Sequence, residues 1–157
     1  MKIDLNTKRY TVIFILNNTH TKVLLQLKNR TEYAGKLNGV GGKVEDGETP
    51  EQGAYREILE ETSIKSKDIK CLTWLGTLIC PENCDEKNKN KFPELWFYGA
   101  TILDENLAKQ PDTESEKINW YTILDNNTID ANGLELAGDG NIPYFIGLAK
   151  KYLLGTD

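Results

Sequence analysis

The sequence has few of the residues that would place it in several common classes of protein. Its three cysteines are odd in number and irregularly spaced, which argues against a disulfide framework. Cys80 and Cys84 have a spacing that could begin a zinc site, but no second cysteine pair and no nearby histidine complete one. We therefore interpret the cysteines as free thiols. The single histidine, His20, falls in a polar turn, where we expect it to be solvated and without a catalytic role.

Long apolar runs are also missing. The longest, Tyr10 to Leu16 and Leu95 to Leu103, are interrupted by polar residues and are far too short to cross a bilayer. The stretch Met1-Lys2-Ile3-Asp4 leads into polar residues rather than into the apolar core of a signal peptide. These absences predict a cytoplasmic protein with no membrane partner.

Basic residues are outnumbered by acidic ones. The chain has 19 Lys and Arg against 24 Asp and Glu, a net charge of −5. Because affinity for the nucleic-acid backbone comes largely from Lys and Arg that neutralise phosphates, we expect no stable nucleic-acid partner. A phosphate-bearing substrate would need help from a cation. With 157 residues, 39% of them hydrophobic, the composition is typical of one globular domain, over residues 1–157.

Apolar and β-branched runs predict the strands of a sheet. The runs at 10–16 and 22–28 lie on either side of a polar turn and predict a hairpin. Three further strands are predicted at 69–80, 94–103 and 117–121.

Two helices are predicted around these strands. In the first, Thr49 fits the N-cap, Pro50 the first helical position and Gln52 the capping-box position. The second is predicted to begin after Asn141, whereas residues 127–140 have the composition of a loop. Strands flanked by two helices predict an α/β (α+β) fold in which a mixed sheet is sandwiched between the helices.

The first predicted helix is unusually acidic. The segment 42–64, GKVEDGETPEQGAYREILEETSI, holds seven carboxylates. At about 100° per residue, Glu57, Glu60 and Glu61 share one helical face. A solvated polar face is the ordinary explanation, but a like-charge pair four residues apart costs a helix about 0.2–0.5 kcal/mol. A bound Mg²⁺ would reverse this penalty, because hard cations take carboxylate oxygens and substrate phosphates as ligands.

Two neighbouring features fit a cation site. The guanidinium of Arg56 can hold a carboxylate such as Glu48 or Glu60 in one orientation through paired hydrogen bonds, which would order the acids without touching the substrate. The glycine-rich loop before the helix can turn a backbone carbonyl, from Gly41 or Gly42, toward the same ion.

These residues together resemble a known motif. Gly42, five residues, Glu48, seven residues and then REILEETSI at 56–64 is similar to the Nudix box of the MutT/Nudix hydrolases. Only Ser63 departs, because it stands where the family usually has glycine. The resemblance implies an α/β/α sandwich, dependence on Mg²⁺ or Mn²⁺, and hydrolysis of a nucleoside diphosphate linked to another group.

The resemblance also implies roles for particular residues. The metal ligands, one of which could instead activate water, would be Glu57, Glu60 and Glu61, with Arg56 holding the acids in place. Gly41 would offer its carbonyl oxygen. Family members usually add a carboxylate from a later loop, for which Glu116 is the first choice here and Glu114 the second.

The flanking residues indicate a substrate class. The stretches VLLQLKNR at 23–30 and LNGVGGKV at 37–44 are similar to the branch that hydrolyses oxidised purine nucleoside triphosphates such as 8-oxo-dGTP. By this resemblance Asn38 and Asp139 would contact the purine edge, and Lys28 would lie near the sugar or base. A turn role for Asn38 and a lead-in to the last helix for Asp139 are the structural alternatives.

Other functions stay open at this point. Pro81 follows the motif at about the distance where ADP-ribose hydrolases carry a proline, and it could equally end a strand. Dinucleoside polyphosphates are a further candidate substrate, and a noncatalytic nucleotide-binding module is the alternative of a different class. The sequence leaves the oligomeric state open, a homodimer included.

Overall fold

The computed structural model describes residues 7–30, 33–79, 92–138 and 140–154. Seven strands and two α-helices lie in this part of the chain. In chain order they are β1 (Arg9–Leu16), β2 (Lys22–Leu27), β3 (Lys36–Asn38), α1 (Pro50–Thr62), β4 (Ile69–Ile79), β5 (Glu94–Ile102), β6 (Ile118–Thr122), β7 (Glu135–Leu136) and α2 (Asn141–Leu154).

The strands of the described residues form one mixed sheet. Its order is β4-β5-β1-β2-β3-β7, and β6 pairs with β2. β1 runs parallel to β5 and antiparallel to β2, with Ile15 opposite Leu24. The predicted hairpin and the predicted mixed sheet are therefore confirmed.

The sheet has a separate hydrophobic layer on each face, because successive side chains of a strand point to opposite sides. From β1, Phe14 and Leu16 pack in the layer that contains Ile146 of α2. Their neighbours, Ile13 and Ile15, pack in the layer that contains Ile58 of α1. One helix on each face of a mixed sheet confirms the predicted α/β/α sandwich.

Helix α1 begins as the sequence predicts. The Thr49 side chain accepts a hydrogen bond from the backbone N–H of Gln52, and the Gln52 side chain accepts one from the backbone N–H of Thr49 at 2.9 Å. The helix ends at Thr62, and its C-cap, Ser63, has left-handed backbone angles (φ 63°, ψ 8°). This is the conformation that glycine adopts most readily. The Ser63 hydroxyl donates to the carbonyl of Lys109 at 2.9 Å, which helps to hold the turn.

Three sequence predictions need correction. Residues 127–140 contain the short strand β7, which pairs in parallel with β3, so this segment is not wholly a loop. The last helix begins at Asn141 itself. His20 is half-buried rather than solvated, and its Nε2 atom lies 2.9 Å from Thr101 Oγ1.

Two further features concern the cysteines and the length of the helices. Cys71 is a free, half-buried thiol, whereas Cys80 and Cys84 lie outside the described residues. Neither α-helix in the described ranges has the length and apolar character needed to cross a membrane.

Candidate functional site

The glycine-rich loop is held against strand β1. The carbonyl of Gly42 accepts a hydrogen bond from the backbone N–H of Thr11 at 2.8 Å, and the carbonyl of Val40 accepts one from Ile13 at 2.7 Å. Between them, Gly41 has a φ of 148°, and a β-carbon on it would collide with the carbonyl oxygen of Thr11. Only glycine fits this approach, which brings the loop beside Glu57 and Glu61 of helix α1.

Gly42 forms a cradle for a carboxylate. A β-carbon built on Gly42 would lie 2.6 Å from Oε1 of Glu57, so the carboxylate of Glu57 occupies the space that a larger residue would fill. Because the Gly42 carbonyl is already used by the strand, the carbonyl of Gly41 is the better candidate for facing a ligand.

Glu61 lies beside the same loop and is buried. Its Oε2 atom accepts a hydrogen bond from the backbone N–H of Gly41 at 3.0 Å, and the residue is 8% exposed. Burial raises the pKa of Glu61 from 4.5 to about 8, and the negative charge of Glu57 adds to the effect. Burial also raises the pKa of Glu57, although Arg56 opposes the change.

Arg56 connects several of these acids. Its Nε and Nη2 atoms donate to the Glu48 carboxylate at 3.1 and 2.6 Å, and its Nη1 atom donates to Glu57 at 2.9 Å and Glu60 at 3.1 Å. Nη2 also donates to the carbonyl of Lys43 at 2.9 Å, which fixes the loop to the helix. The hydrogen bonds from Arg56 hold the pKa of Glu48 below its ordinary value. Arg56 thus bonds both of the carboxylates, Glu48 and Glu60, that were named as its alternative partners.

The three glutamates of the acidic face do not have the same surroundings. Glu57 and Glu61 are buried against the glycine loop, whereas the Glu60 side chain is 56% exposed and turns toward Arg56. An i,i+4 ion pair on the helix surface gives Glu60 a solvated place. The structure therefore brings two of the three predicted acids together and leaves the third at their edge.

A second group of residues approaches Glu61 from strand β2 and the later loop. Glu116 is 5% exposed, and its Oε2 atom accepts a hydrogen bond from the backbone N–H of Asn29 at 2.7 Å. The ammonium of Lys28 lies 3.4 Å from Oε1 of Glu116. The pKa of Glu61 responds to the positive charge of Lys28, which lowers it, and to the negative charge of Glu114, which raises it. Lys28 therefore lies among the acids.

Of the two residues predicted to contact the purine edge, the structure describes Asn38. Asn38 is half-buried in β3, directly opposite Gln26, and its Oδ1 atom accepts a hydrogen bond from the backbone N–H of Gly39 at 2.8 Å. Asn38 therefore ends a strand, and its role toward a purine stays a prediction. Asp139 and Pro81 lie outside the described residues.

Two polar residues of the site are not among those that the sequence predicts. Thr11 exchanges side-chain contacts with the backbone of Gly42 at 3.3 and 3.4 Å. Gln26 is fully buried, and its Oε1 atom accepts a hydrogen bond from Lys28 at 2.8 Å. Each is a polar residue inside an otherwise apolar strand, YTVIFIL and KVLLQL respectively, and that interruption was the available signal.

The acids near the glycine loop are the possible ligands for the cation that the motif implies. Over the four described ranges, no group of three or more His, Cys, Asp or Glu side chains converges closely enough to hold a metal ion. Glu57 and Glu61 nevertheless form a buried pair whose ionised forms are disfavoured by burial. Buried carboxylates need counter-charge, and hard divalent cations take carboxylate and carbonyl oxygens as ligands. The residues therefore fit Mg²⁺ or Mn²⁺.

A mixed sheet between two helices, with an acidic helix set against a glycine loop, defines an α/β/α protein with a carboxylate site suited to a divalent cation. The sequence model of the NUDIX domain matches residues 7–136. The chain belongs to the NUDIX domain family, and the resemblance to the Nudix hydrolases is confirmed.

Curated relatives include hydrolases of oxidised nucleotides. The chain is 48% identical over 58 residues to the oxidized purine nucleoside triphosphate hydrolase of Mus musculus, a match that covers 37% of this chain and only 36% of that protein. It is 27% identical over 129 residues to the 8-oxo-dGTP diphosphatase of Escherichia coli (strain K12), covering 78% of this chain and 87% of that protein.

Solved structures show the same fold. The NUDIX domain of Shewanella oneidensis NrtR, complexed with ADP ribose, superposes with a TM-score of 0.65 at 21% identity and covers 98% of this chain and 90% of that one. A NUDIX family hydrolase from Clostridium perfringens gives a TM-score of 0.64 at 21% identity, over 92% of this chain and 97% of that one.

Proposed function

We propose that this chain is a Nudix pyrophosphohydrolase that cleaves an oxidised purine nucleoside triphosphate, such as 8-oxo-dGTP, to the monophosphate and pyrophosphate. The observation that carries the proposal is the buried pair Glu57 and Glu61, set against the backbone of Gly41 and Gly42. Two buried carboxylates without a divalent cation are costly for the fold, and a site for a cation and a polyphosphate gives them a use.

The residues that would hold Mg²⁺ or Mn²⁺ are those of the acidic helix and its neighbours: Gly41 through its carbonyl, Glu57, Glu60, Glu61 and Glu116. When bound, the cation polarises phosphoryl oxygens and lowers the pKa of water. One of the three helix glutamates accepts the proton of the attacking water. Arg56 keeps Glu57 and Glu60 oriented through Nη1, and it also bonds Glu48.

The substrate class rests on the relatives and on the flanking residues. The named activity of the mouse relative is the hydrolysis of oxidised purine nucleoside triphosphates, and its match covers about a third of either chain. Lys28 lies among the acids, where its charge suits a phosphate, and Asn38 and Asp139 are the candidates for contacting the purine edge.

A nucleotide panel in Mg²⁺ tests the proposal. We expect pyrophosphate release from 8-oxo-dGTP to exceed release from dGTP, whereas AMP release from ADP-ribose would favour the ADP-ribose alternative. Failure to cleave any nucleotide of a broad panel would instead favour a noncatalytic nucleotide-binding module.

A pair of variants tests the assignment of the helix. Glu60→Gln should abolish turnover and leave the circular dichroism spectrum and melting temperature close to wild type, because the side chain is exposed. Glu51→Gln, at an exposed acid in the first turn of the same helix, is the matched control and should retain activity. Near-normal activity of Glu60→Gln would refute the assignment.

A further inference from the structure

Strand β2 contains a polar residue that is fully buried. Gln26 is paired with Ile118 of β6, and Ile118 packs in the same hydrophobic layer as Ile58 of α1. Leu24, two positions before Gln26, belongs to that layer as well. Because directly opposite residues of paired strands point to the same side of a sheet, Gln26 lies on the face that carries the acids of α1.

The orientation of the Gln26 amide is fixed by its contact with Lys28. The Lys28 ammonium lies 2.8 Å from one branch of the amide, and an ammonium has only donors. That branch is therefore the oxygen, Oε1, and the amide nitrogen points away from Lys28. In the part of the chain that the structure describes, Nε2 of Gln26 is buried and has no hydrogen-bond partner.

Packing alone does not explain this glutamine. A buried amide N–H without a partner costs stability, whereas leucine would fill a similar volume and leave no polar group unsatisfied. The neighbouring positions of the strand, Leu24, Leu25 and Leu27, are already leucines. A polar side chain that is costly in a strand core indicates a use for the half of it that is bonded, which is the oxygen that accepts from Lys28.

Lys28 lies closer to this neutral oxygen than to the carboxylate beside it. Its Nζ atom is 2.8 Å from Oε1 of Gln26 but 3.4 Å from Oε1 of Glu116. Charged donors and acceptors ordinarily approach to about 2.7–2.9 Å. Burial raises the pKa of Glu61, and the positive charge of Lys28 opposes that rise, so the ammonium acts on this second acid as well. The amide of Gln26 therefore holds the ammonium near two buried acids without letting it close on Glu116.

We propose that Gln26 is a positioning residue that keeps the Lys28 ammonium from pairing closely with Glu61 and Glu116. This inference rests on the proposed function, because both glutamates are among the residues proposed to hold Mg²⁺ or Mn²⁺. Without the amide oxygen, the ammonium would close on the carboxylates, and a cation would have to displace it in order to bind. With the oxygen in place, the carboxylates are left to the cation, and the charge of Lys28 is left to a phosphate of the substrate.

Binding of Mn²⁺ alone tests the proposal. The free ion is measured by its electron paramagnetic resonance signal, at one fixed pH and without nucleotide. Gln26→Leu removes the amide oxygen and nearly keeps the volume. At an effective dielectric constant of about 20, closing the Lys28–Glu116 pair from 3.4 Å to about 2.8 Å strengthens it by the equivalent of an about sixfold change in an equilibrium constant. The Kd for Mn²⁺ should therefore rise about sixfold in Gln26→Leu.

A double-mutant cycle separates positioning from a general disturbance of the strand. Lys28→Met keeps most of the side-chain length but removes the charge, so it should lower the Kd for Mn²⁺. If Gln26 acts through Lys28, adding Gln26→Leu to Lys28→Met should leave the Kd of that variant unchanged. An equal rise in both backgrounds would overturn the proposal, and so would an unchanged Kd in Gln26→Leu alone. Leu24→Met, at a buried position on the same face, is the packing control and should bind Mn²⁺ like wild type.

Nucleotide hydrolysis distinguishes the two proposals. Cleavage of a nucleotide by wild type, with an unchanged Kd for Mn²⁺ in Gln26→Leu, would overturn the positioning role and leave the proposed function intact. The expected rise in Kd, without cleavage of any nucleotide of the panel, would overturn the proposed function and support the positioning role. Failure of wild type to bind Mn²⁺ would overturn both. Because leucine is apolar and close to glutamine in volume, Gln26→Leu should fold, and a circular dichroism spectrum identical to wild type checks this.

Discussion

Replacing Glu61 by glutamine should stabilise the metal-free protein at alkaline pH. In the folded chain, burial raises the pKa of Glu61 from 4.5 to about 8. Between these values the folded state binds more protons than the unfolded state, so the free energy of unfolding falls as the pH rises. Glutamine keeps the size and the oxygen that accepts the hydrogen bond from Gly41 but does not ionise.

The size of the effect follows from the same shift. At about 1.4 kcal/mol per pH unit, the change from 4.5 to about 8 sets an upper limit of about 5 kcal/mol on the penalty from an ionised Glu61. Even a gain of about 2 kcal/mol would raise the melting temperature of a chain of this size by about 4–8 °C. Near pH 4.5 the two proteins should be equally stable.

Thermal denaturation in EDTA at pH 5 and at pH 8.5 measures this difference, with Glu51→Gln as the exposed control that should show none. Addition of Mg²⁺ should stabilise the wild type more than it stabilises Glu61→Gln. At a hundred times its Kd, a cation adds about 2.7 kcal/mol to the wild type, and Glu61→Gln should lose most of that gain. A glutamine variant less stable than wild type at pH 8.5 in EDTA would refute the argument from burial, and equal stabilisation of both by Mg²⁺ would exclude Glu61 as a ligand.

Three further perturbations follow from the site. Arg56→Lys keeps the charge but loses the paired hydrogen bonds to Glu48. Urea denaturation should therefore show a free energy of unfolding lower by about 1–3 kcal/mol. An unchanged midpoint would contradict this role of Arg56. Ser63→Ala loses the hydroxyl bond to Lys109 but keeps the left-handed backbone, whereas Ser63→Gly removes the strain of that backbone. The melting temperature of Ser63→Gly should therefore be higher than that of Ser63→Ala. The reverse order would argue against strain at this turn. Gly42→Ala places a β-carbon 2.6 Å from the carboxylate it cradles, so the Kd for Mg²⁺ measured by calorimetry should rise at least tenfold, and an unchanged Kd would show that the cradle is dispensable.

Local signals in the sequence predicted the helices and the long strands. The capping box of α1 depends on residues three apart, so Thr49 and Gln52 were sufficient to place the helix start. Strands β3 and β7 were missed because they have three and two residues and form only by pairing with each other and with β2. That pairing connects Lys36 to Glu135, a separation that no local pattern reports.

The sequence predicted which residues form the candidate site better than it predicted how they are arranged. Helical periodicity gave Glu57, Glu60 and Glu61 a common face, but it carries no information about what that face meets. Glu60 turns outward because Arg56, four residues before it, offers a partner at 3.1 Å. Thr11 was missed because its role depends on the loop of Gly42 crossing a strand that is distant in sequence.

The two apolar layers share the sheet backbone and little else. Ile146 and Phe14 lie on one side, whereas Ile58 and Ile13 lie on the other, next to the acids. A substitution that repacks the α2 side can therefore be absorbed without moving the carboxylates. This separation gives the chain room to drift in sequence over half of its interior while its chemistry stays constant, and the α2 layer is where stabilising substitutions should be sought first.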